Sequence, residues 1–285
     1  LQRCEVLTPK LSGLIAPLKC LLTQLSVADR IPQIEVAQGD DDCALIVRHL
    51  DTFDANDLEL WAAFSRRHGV RVLLQSAGYD SLATLDGAPV APLGYQLPEW
   101  GLYMTFMPHQ FTQVNLDMNK TLIRHALAYF GDLAGKRVVD LFCGIGNFTL
   151  PLARAGARVR GVEAAADAVD RARRNAELNG LRSQVEFEVA DLYGPNAALP
   201  GLLERCDALL LDPPRSGAGE HLTQWLGGFC GREVVYVSCN PQSFAKDAAV
   251  LNEHGLVLNK VGIFDMFPHT AHVETMGYFR REEQW

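Results

Sequence analysis

Residues 137–155 constrain the fold of this chain most strongly, because they join an apolar run, a glycine turn and a helix-like pattern. The run from Arg137 to Leu141 has the continuous hydrophobicity of a strand buried in a parallel sheet. Gly144 and Gly146 allow a tight turn and a close approach of the backbone to a ligand. A strand, a Gly-x-Gly turn and a following helix together predict a nucleotide-binding crevice at the carboxyl end of a sheet.

The turn lacks the dinucleotide fingerprint, since the third glycine of that motif would fall at Thr149. A second strand, 159–163, ends in Glu163, which can accept hydrogen bonds from both hydroxyls of a ribose. A third strand, 185–189, is followed by Asp191, which could meet an adenine amino group. This succession indicates S-adenosylmethionine as the cofactor, with NAD or a purely structural glycine turn as the alternatives.

The rest of the chain predicts an α/β protein with two domains. Strands and helices alternate from residue 137 onward, which predicts a doubly wound parallel sheet. The last two strands, 256–264 and 275–280, have no helix between them and should form an antiparallel hairpin at one edge. Residues 1–99 are predicted to form a small α+β domain without a catalytic role. Residues 100–285 are predicted to form the larger domain. The Pro- and Gly-rich stretch 87–101 is predicted to connect them.

The composition favours an intracellular protein with reduced thiols. The seven cysteines include no C-x-x-C pair, and no apolar run is long enough to span a membrane. We therefore expect a cytoplasmic location. The formal net charge of −8 is unusual for a polyanion-binding protein, so an RNA substrate would require a local basic patch. Most of the cysteines are expected to be buried hydrophobic residues, namely Cys20, Cys43, Cys206 and Cys230, with Cys143 packing in the glycine turn.

Two further motifs follow strands of the predicted sheet and should reach the same crevice. Asp212 begins an Asp-Pro-Pro-Arg turn whose two prolines stiffen the backbone and remove two N–H donors. Such turns also occur in enzymes that methylate planar nitrogens. Cys239 ends a strand between two polar residues and precedes a proline, which favours an exposed, activatable thiol over a buried one.

Methylation of a pyrimidine at C5 requires a thiol of this kind. Addition of a thiolate to C6 makes C5 nucleophilic, and a base must afterwards remove the C5 proton so that the thiol can leave. Glu274 is the candidate base, in a loop that also contains His269 and His272. Metal binding by these histidines is the less favoured reading, because no cysteine or third histidine lies nearby.

Over about residues 102–280 these motifs resemble the RNA uracil-5-methyltransferase family, and most of all its members that modify 23S rRNA. The segments that carry the resemblance are Phe-Thr-Gln-Val-Asn at 111–115, Asp-Leu-Phe-Cys-Gly-Ile-Gly-Asn-Phe at 140–148, Gly-Val-Glu at 161–163, Asp-Pro-Pro-Arg at 212–215, Val-Ser-Cys-Asn-Pro at 237–241 and Asp-Met-Phe-Pro-His-Thr-Ala-His-Val-Glu at 265–274.

The resemblance implies a class I, Rossmann-like methyltransferase fold with a seven-stranded sheet. It also implies that Cys239 is the nucleophile and Glu274 the base, acting on a uridine flipped out of 23S rRNA. The implied cofactor and target-base residues are Gln113, Phe142, Gly144, Asn147, Glu163, Asp191 and Asp212.

Full-length members of this kind also carry an RNA-binding TRAM domain and a 4Fe-4S cluster held by four cysteines. Only Cys4 resembles one of the cluster ligands, so we expect this chain to be a piece of a longer protein in which no cluster forms. We also expect the chain to be a monomer. The remaining alternatives are a relative with another RNA target, an enzyme that methylates exocyclic nitrogens, and a non-catalytic module that binds RNA and S-adenosylmethionine.

Overall fold

The computed structural model of the chain describes residues 2–194, 198–270 and 272–281, which fold into two compact units. The first unit comprises Leu1–Gln96 and Thr105–Thr112, and the second comprises Leu97–Met104 and Gln113–Trp285. Across the described ranges, no helix combines the length and hydrophobicity that crossing a bilayer requires.

The first unit contains a four-stranded mixed sheet packed against helices. The helices are α1 (Pro9–Ser12), α2 (Ile15–Leu22) and α3 (Ala55–His68), and the strands are β1 (Gln33–Gln38), β2 (Cys43–Arg48), β3 (Arg71–Gln75) and β4 (Ala83–Thr84). The sheet order is β1-β2-β3-β4, and only the central pair is parallel. Asp54 caps α3 by accepting a hydrogen bond from the backbone N–H of Asp57. Trp61 of the same helix is fully buried in the core of this unit.

The chain passes from one unit to the other three times. Two passages lie inside β5 (Leu93–Leu97) and β6 (Leu102–Phe106), which form a two-stranded sheet, and the third lies between Thr112 and Gln113. The sequence predicted a connection over residues 87–101, and β5 lies within it. Its buried side chains alternate at Leu93, Tyr95 and Leu97, which is the period of a strand.

The second unit is a doubly wound α/β domain. Its strands are β7 (Arg137–Leu141), β8 (Arg158–Glu163), β9 (Val185–Val189), β10 (Ala208–Leu211), β11 (Glu233–Ser238), β12 (Leu256–Phe264) and β13 (Glu274–Arg281). Its helices are α4 (Leu116–Phe130), α5 (Thr149–Arg154), α6 (Ala166–Leu178), α7 (Ala198–Leu203), α8 (His221–Gly228) and α9 (Pro241–Glu253).

The strand order of this domain is β12-β13-β11-β10-β7-β8-β9. Strands β7 to β11 are parallel, and β13 runs antiparallel to both of its neighbours. The prediction of a seven-stranded sheet with an antiparallel hairpin at one edge is therefore confirmed. All four residues of β10 are buried, as expected for a central strand covered on both faces.

The exposure of the cysteines differs from the prediction at two positions. Cys43 and Cys206 are buried as expected, but Cys20 and Cys230 are exposed. Cys20 lies on the outward side of the amphipathic helix α2, and Cys230 lies in the turn before β11. The general preference of cysteine for the interior does not apply at either place, because neither side chain reaches a core.

Candidate active site

The glycine turn after β7 has empty space beside its backbone at Gly144. Three of its residues have positive φ, namely Phe142 at 65°, Gly144 at 53° and Gly146 at 91°. The backbone N–H groups of Phe142 and Cys143 both donate to the carbonyl oxygen of Val162, which anchors the turn to β8. A Cβ added to Gly144 would meet no atom within 4 Å, so there is room for a ligand beside the backbone.

Glu163 fixes the other side of this opening. It is half-buried at the end of β8, where one carboxylate oxygen accepts from the N–H of Gly144 at 3.2 Å. The other oxygen accepts from the N–H of Ala165 at 2.9 Å. These bonds hold the carboxylate against the turn, in the place predicted for a ribose-binding acid.

Asp140 is the acidic residue of β7, and it is a polar group of the site to which the sequence patterns gave no role. It is fully buried, and one carboxyl oxygen accepts from the hydroxyl of Thr149 at 2.5 Å. The other oxygen has no hydrogen-bond partner within the described part of the chain. Burial raises the pKa of Asp140 to about 7, against the lowering effect of the Thr149 hydrogen bond. The signal available in the sequence was an acid within an otherwise apolar strand.

Asn147 is held by a second residue that sequence reasoning missed. Its side-chain amide exchanges two hydrogen bonds with that of Asn119, at 2.8 and 2.9 Å. Asn119 is fully buried on α4, on the same face as Leu122, Ile123 and Ala126. A polar residue on the apolar face of a helix was the available signal for a buried hydrogen-bonded partner.

The two outlying members of the predicted cofactor set are less constrained. Asp191 is exposed after β9, and its carboxylate accepts from the N–H of Tyr193 at 3.0 Å. Gln113 is half-buried just before α4. Within the described residues, Gln113 makes no hydrogen bond to another member of the site, so its role remains a prediction.

Cys239 and Glu274 come together at the strand edge next to Asp212. Ser238 pairs with Thr275 in the ladder between β11 and β13, and Cys239 and Glu274 are the next residues beyond this pair. Glu274 is buried and begins β13, whereas the sequence placed it in a loop. The Phe264–Glu274 pairing at the end of the β12–β13 ladder explains the difference.

The two carboxyl groups near Cys239 resist ionisation. Burial raises the pKa of Glu274 to about 7. Burial also raises the pKa of Asp212 to about 8, and the negative charges of Glu274 and Asp140 act in the same direction. Perturbed carboxyl groups that cluster at a strand edge are typical of catalytic sites.

The thiol of Cys239 is half-buried rather than exposed. Burial raises its pKa, and the charges of Glu274 and Asp212 raise it further, while Arg215 lowers it. The thiol is therefore protonated at neutral pH in this structure and needs a proton acceptor before it can act as a nucleophile. Glu274, whose pKa of about 7 leaves part of its carboxyl groups ionised at neutral pH, is the candidate acceptor.

Hydrogen bonds from three side chains fix the loop that follows the Asp-Pro-Pro-Arg turn. Asp247 is buried and accepts hydrogen bonds from the hydroxyl of Tyr236 and the backbone N–H of Ala218, the latter at 2.8 Å. Tyr193 donates its hydroxyl to the carbonyl of Gly217 at 2.8 Å, and its ring lies 5.5 Å from that of Phe142. Tyr193 thus links three loops at the same edge of the sheet, a tertiary role that no motif indicated.

The described residues contain no group of three or more metal-ligating side chains. Cys4 is half-buried, and its backbone N–H donates to the hydroxyl of Ser12. His269 and His272 are both exposed.

The chain matches the model of the tRNA (uracil-5-)-methyltransferase family over residues 97–188 and 203–282. It is 48% identical over 288 residues to the 23S rRNA (uracil(1939)-C(5))-methyltransferase RlmD of Hahella chejuensis, covering 99% of this chain and 64% of that protein. It is 44% identical over 282 residues to the protein of the same name from Aromatoleum aromaticum, covering 99% and 65%. The chain thus spans slightly less than two thirds of the length of these curated relatives.

Two solved structures share its fold. The tRNA (uracil-54, C5)-methyltransferase of Pyrococcus abyssi, in complex with S-adenosyl-L-homocysteine, has a TM-score of 0.75 and 23% identity, covering 98% of this chain and 69% of that one. TYW2 of M. jannaschii, in complex with AdoMet, has a TM-score of 0.53 and 18% identity, covering 74% and 94%. At these identities the likeness concerns the fold alone, which is the predicted class I methyltransferase fold.

Proposed function

Because the chain belongs to the tRNA (uracil-5-)-methyltransferase family, we propose that it methylates C5 of a uracil in RNA with S-adenosylmethionine. The names of its relatives point to 23S rRNA and to the uracil that corresponds to position 1939. The observation that carries the proposal is the placement of Cys239 and Glu274 on adjacent strand ends, beside Asp212.

The residues around the glycine turn fit S-adenosylmethionine. The space beside Gly144, the fixed carboxylate of Glu163 and the unpartnered buried oxygen of Asp140 would hold a polar ligand. We assign Gln113, Phe142, Asn147 and Asp191 to the same ligand, with Asp191 toward its adenine. The cofactor supplies an electrophilic methyl group.

In this proposal the sulfur of Cys239 attacks C6 of the uracil. The thiol first gives its proton to the carboxylate of Glu274, which passes the proton on to water, and the new S–C6 bond pushes electron density to C5. C5 would then bond to the methyl carbon as the bond between that carbon and the sulfonium sulfur breaks, with its electron pair left on the sulfur. Reaching C5 and C6 from opposite faces requires the uridine to leave its stacked position in the RNA.

Glu274 completes the cycle by accepting the C5 proton. The electron pair of the C5–H bond forms the C5–C6 double bond, and the S–C6 bond breaks to release Cys239. A base with a pKa near the working pH is the most efficient for such a step, and the raised pKa of Glu274 meets this condition.

Asp212 has a different part in this arrangement. Because burial raises its pKa to about 8, its carboxyl group carries a proton at neutral pH. A protonated carboxyl group can donate a hydrogen bond, and we assign Asp212 to a carbonyl oxygen of the base, where negative charge develops after the sulfur adds.

The described residues do not fit an iron–sulfur cluster, since Cys4 has no further ligands around it. We therefore derive no step through a cluster. We further propose that the chain acts as a monomer and in the cytoplasm, which agrees with an RNA substrate.

A gel assay with 5-fluorouridine RNA tests the proposed function. We expect a stem-loop with 5-fluorouridine at the target position to form a stable adduct with the chain in the presence of S-adenosylmethionine, because fluorine cannot leave as a proton. The adduct should vanish in Cys239→Ala and persist in Cys20→Ala, which removes an exposed thiol elsewhere. An adduct that survives in Cys239→Ala would overturn the proposal. No adduct despite cofactor binding would favour nitrogen methylation or a non-catalytic role.

A further inference from the structure

Basic residues gather at one edge of the seven-stranded sheet, where they outnumber the acidic residues of the same edge. Most of its strands have basic residues at or near the edge where the parallel strands begin, and acidic residues at the other edge, which holds the candidate active site. The basic positions are Lys136, Arg137, Arg158, Arg205, Arg232 and Arg280, and the acidic ones are Asp140, Glu163, Asp191, Asp212 and Glu274. The edge with the basic residues also carries acidic ones, namely Glu186, Glu188, Glu204, Asp207 and Glu233.

The basic edge is concave. One cleft of about 710 Å³ is lined by Arg137, Arg158, Arg160 and Arg205. A second, of about 440 Å³, is lined by Lys136, Arg137, Arg232 and Arg280. The two clefts share Arg137 and Cys206 and together form one band of mixed but mainly basic side chains, which we call the amino edge.

Acidic residues neutralise part of this band but not all of it. Arg137 pairs with Asp207 at 2.8 Å, Lys136 pairs with Glu233 at 2.6 Å, and Arg160 pairs with Glu186. Arg158 and Arg205 are exposed, and neither forms an ion pair in the part of the chain that the structure describes. Two guanidinium groups on one cleft are therefore available to an anion.

An RNA backbone is the anion that suits this arrangement. A guanidinium group binds phosphate oxygens through two parallel N–H donors, and a band of such groups can follow several successive phosphates. The strands are four to six residues long, so roughly 13–20 Å separates the amino edge from the active-site edge at about 3.3 Å per residue. One folded RNA could touch both edges, while a minimal stem-loop at the active site would leave the amino edge empty.

We propose that the amino edge is a second RNA-binding surface, which holds phosphates of the rRNA that flanks the target stem-loop through Arg158 and Arg205. This inference rests on the proposed function. It provides the local basic patch that an RNA-binding chain of negative net charge requires.

The salt dependence of RNA binding tests this surface. A 23S rRNA fragment that extends on both sides of the target stem-loop is titrated against the wild-type chain, Arg158→Gln, Arg205→Gln and the control Lys246→Gln. The control removes one exposed positive charge from α9. We expect the slope of log K against log salt to fall by about 0.7–0.9 in each arginine variant and to stay unchanged in the control. Arg158→Lys should restore the slope.

The minimal stem-loop separates this inference from the proposed function. We expect all variants to methylate it at the wild-type rate. Equal slopes for the arginine variants and Lys246→Gln on the long fragment would overturn the amino edge as an RNA surface. Loss of stem-loop methylation in Arg158→Gln or Arg205→Gln would also overturn it, by placing the effect at the active site. If the wild-type chain does not methylate the stem-loop, the proposed function fails, while the slopes on the long fragment still test the surface.

Discussion

Cys239 and Glu274 lie one residue beyond the last pair of the β11–β13 ladder, in which Ser238 faces Thr275. An antiparallel strand at this position brings a residue from near the end of the described chain beside a thiol that lies 35 positions earlier. The sheet itself, rather than a flexible loop, therefore sets the separation of the proposed nucleophile and base.

Glu274→Gln should trap the natural substrate. The amide cannot accept the C5 proton, so the methylated adduct with Cys239 should persist on RNA that contains no fluorine. We expect turnover to fall by about 10²–10⁴. A denaturing gel and a methyl-transfer assay measure the two effects. The control Glu253→Gln changes an exposed acid at the end of α9 and should behave as wild type. Normal turnover in Glu274→Gln would exclude this residue as the base.

The single-turnover rate should rise with pH through about 7. Glu274 acts as a base only when it is ionised, and burial raises its pKa to about 7, so acidification removes the active form. The thiolate fraction of Cys239 also grows with pH, which acts in the same direction. Rates measured from about pH 5.5 to about pH 9 should show this inflection, followed by a fall above about pH 8, where Asp212 loses the proton that it donates. A rate that falls over the neutral range would contradict both assignments.

Asn119→Ala should weaken cofactor binding although Asn119 itself is buried behind the site. The change removes both hydrogen bonds to Asn147. We expect a loss of about 1–3 kcal/mol in the free energy of unfolding and roughly a tenfold rise in the Kd for S-adenosylmethionine. Calorimetry and thermal unfolding measure the two quantities. Asn252→Ala, on the exposed side of α9, is the control. An unchanged Kd would show that Asn119 has only a structural role.

Gly161→Ala should destabilise the second unit. The added methyl carbon would lie 2.8 Å from the sulfur of Cys143 and 2.8 Å from the ring of Phe187. Overpacking of this kind costs about 1–3 kcal/mol. Thermal unfolding should show a lower Tm, whereas Gly201→Ala, with no atom within 4 Å of the new carbon, should leave Tm unchanged or raise it. Equal effects of the two substitutions would show that the space around β8 adapts.

Local sequence patterns were sufficient to predict most strands of the seven-stranded sheet and the glycine turn after β7. The bounds of β7, β9 and β12 match the predicted strands, because a short apolar run between turn residues has few other solutions. The same patterns place Glu163, Asp212 and Cys239 at the carboxyl ends of strands.

The contacts that hold these groups depended on tertiary structure. Asn119 and Asn147 are 28 residues apart and meet only when α4 packs beside the turn. The depth of Cys239 also depends on β13, whose pairing with β11 buries Glu274 next to it. Neither the Asn119–Asn147 contact nor the burial of Cys239 could be predicted from the spacing of residues in the sequence, because each requires two distant segments to pack together.

The position of β13 has a consequence for the order in which this domain can be completed during synthesis. Strand β13 lies between β11 and β12, so β12 has no partner in the sheet until the residues from Glu274 onward have emerged. Domains fold as their chains leave the ribosome. A nascent chain can therefore form the cofactor turn and β11 while the proposed base is still absent. We expect such a chain to be unable to release a uridine that it has attacked, so catalytic competence would come last, with the strand that closes the sheet.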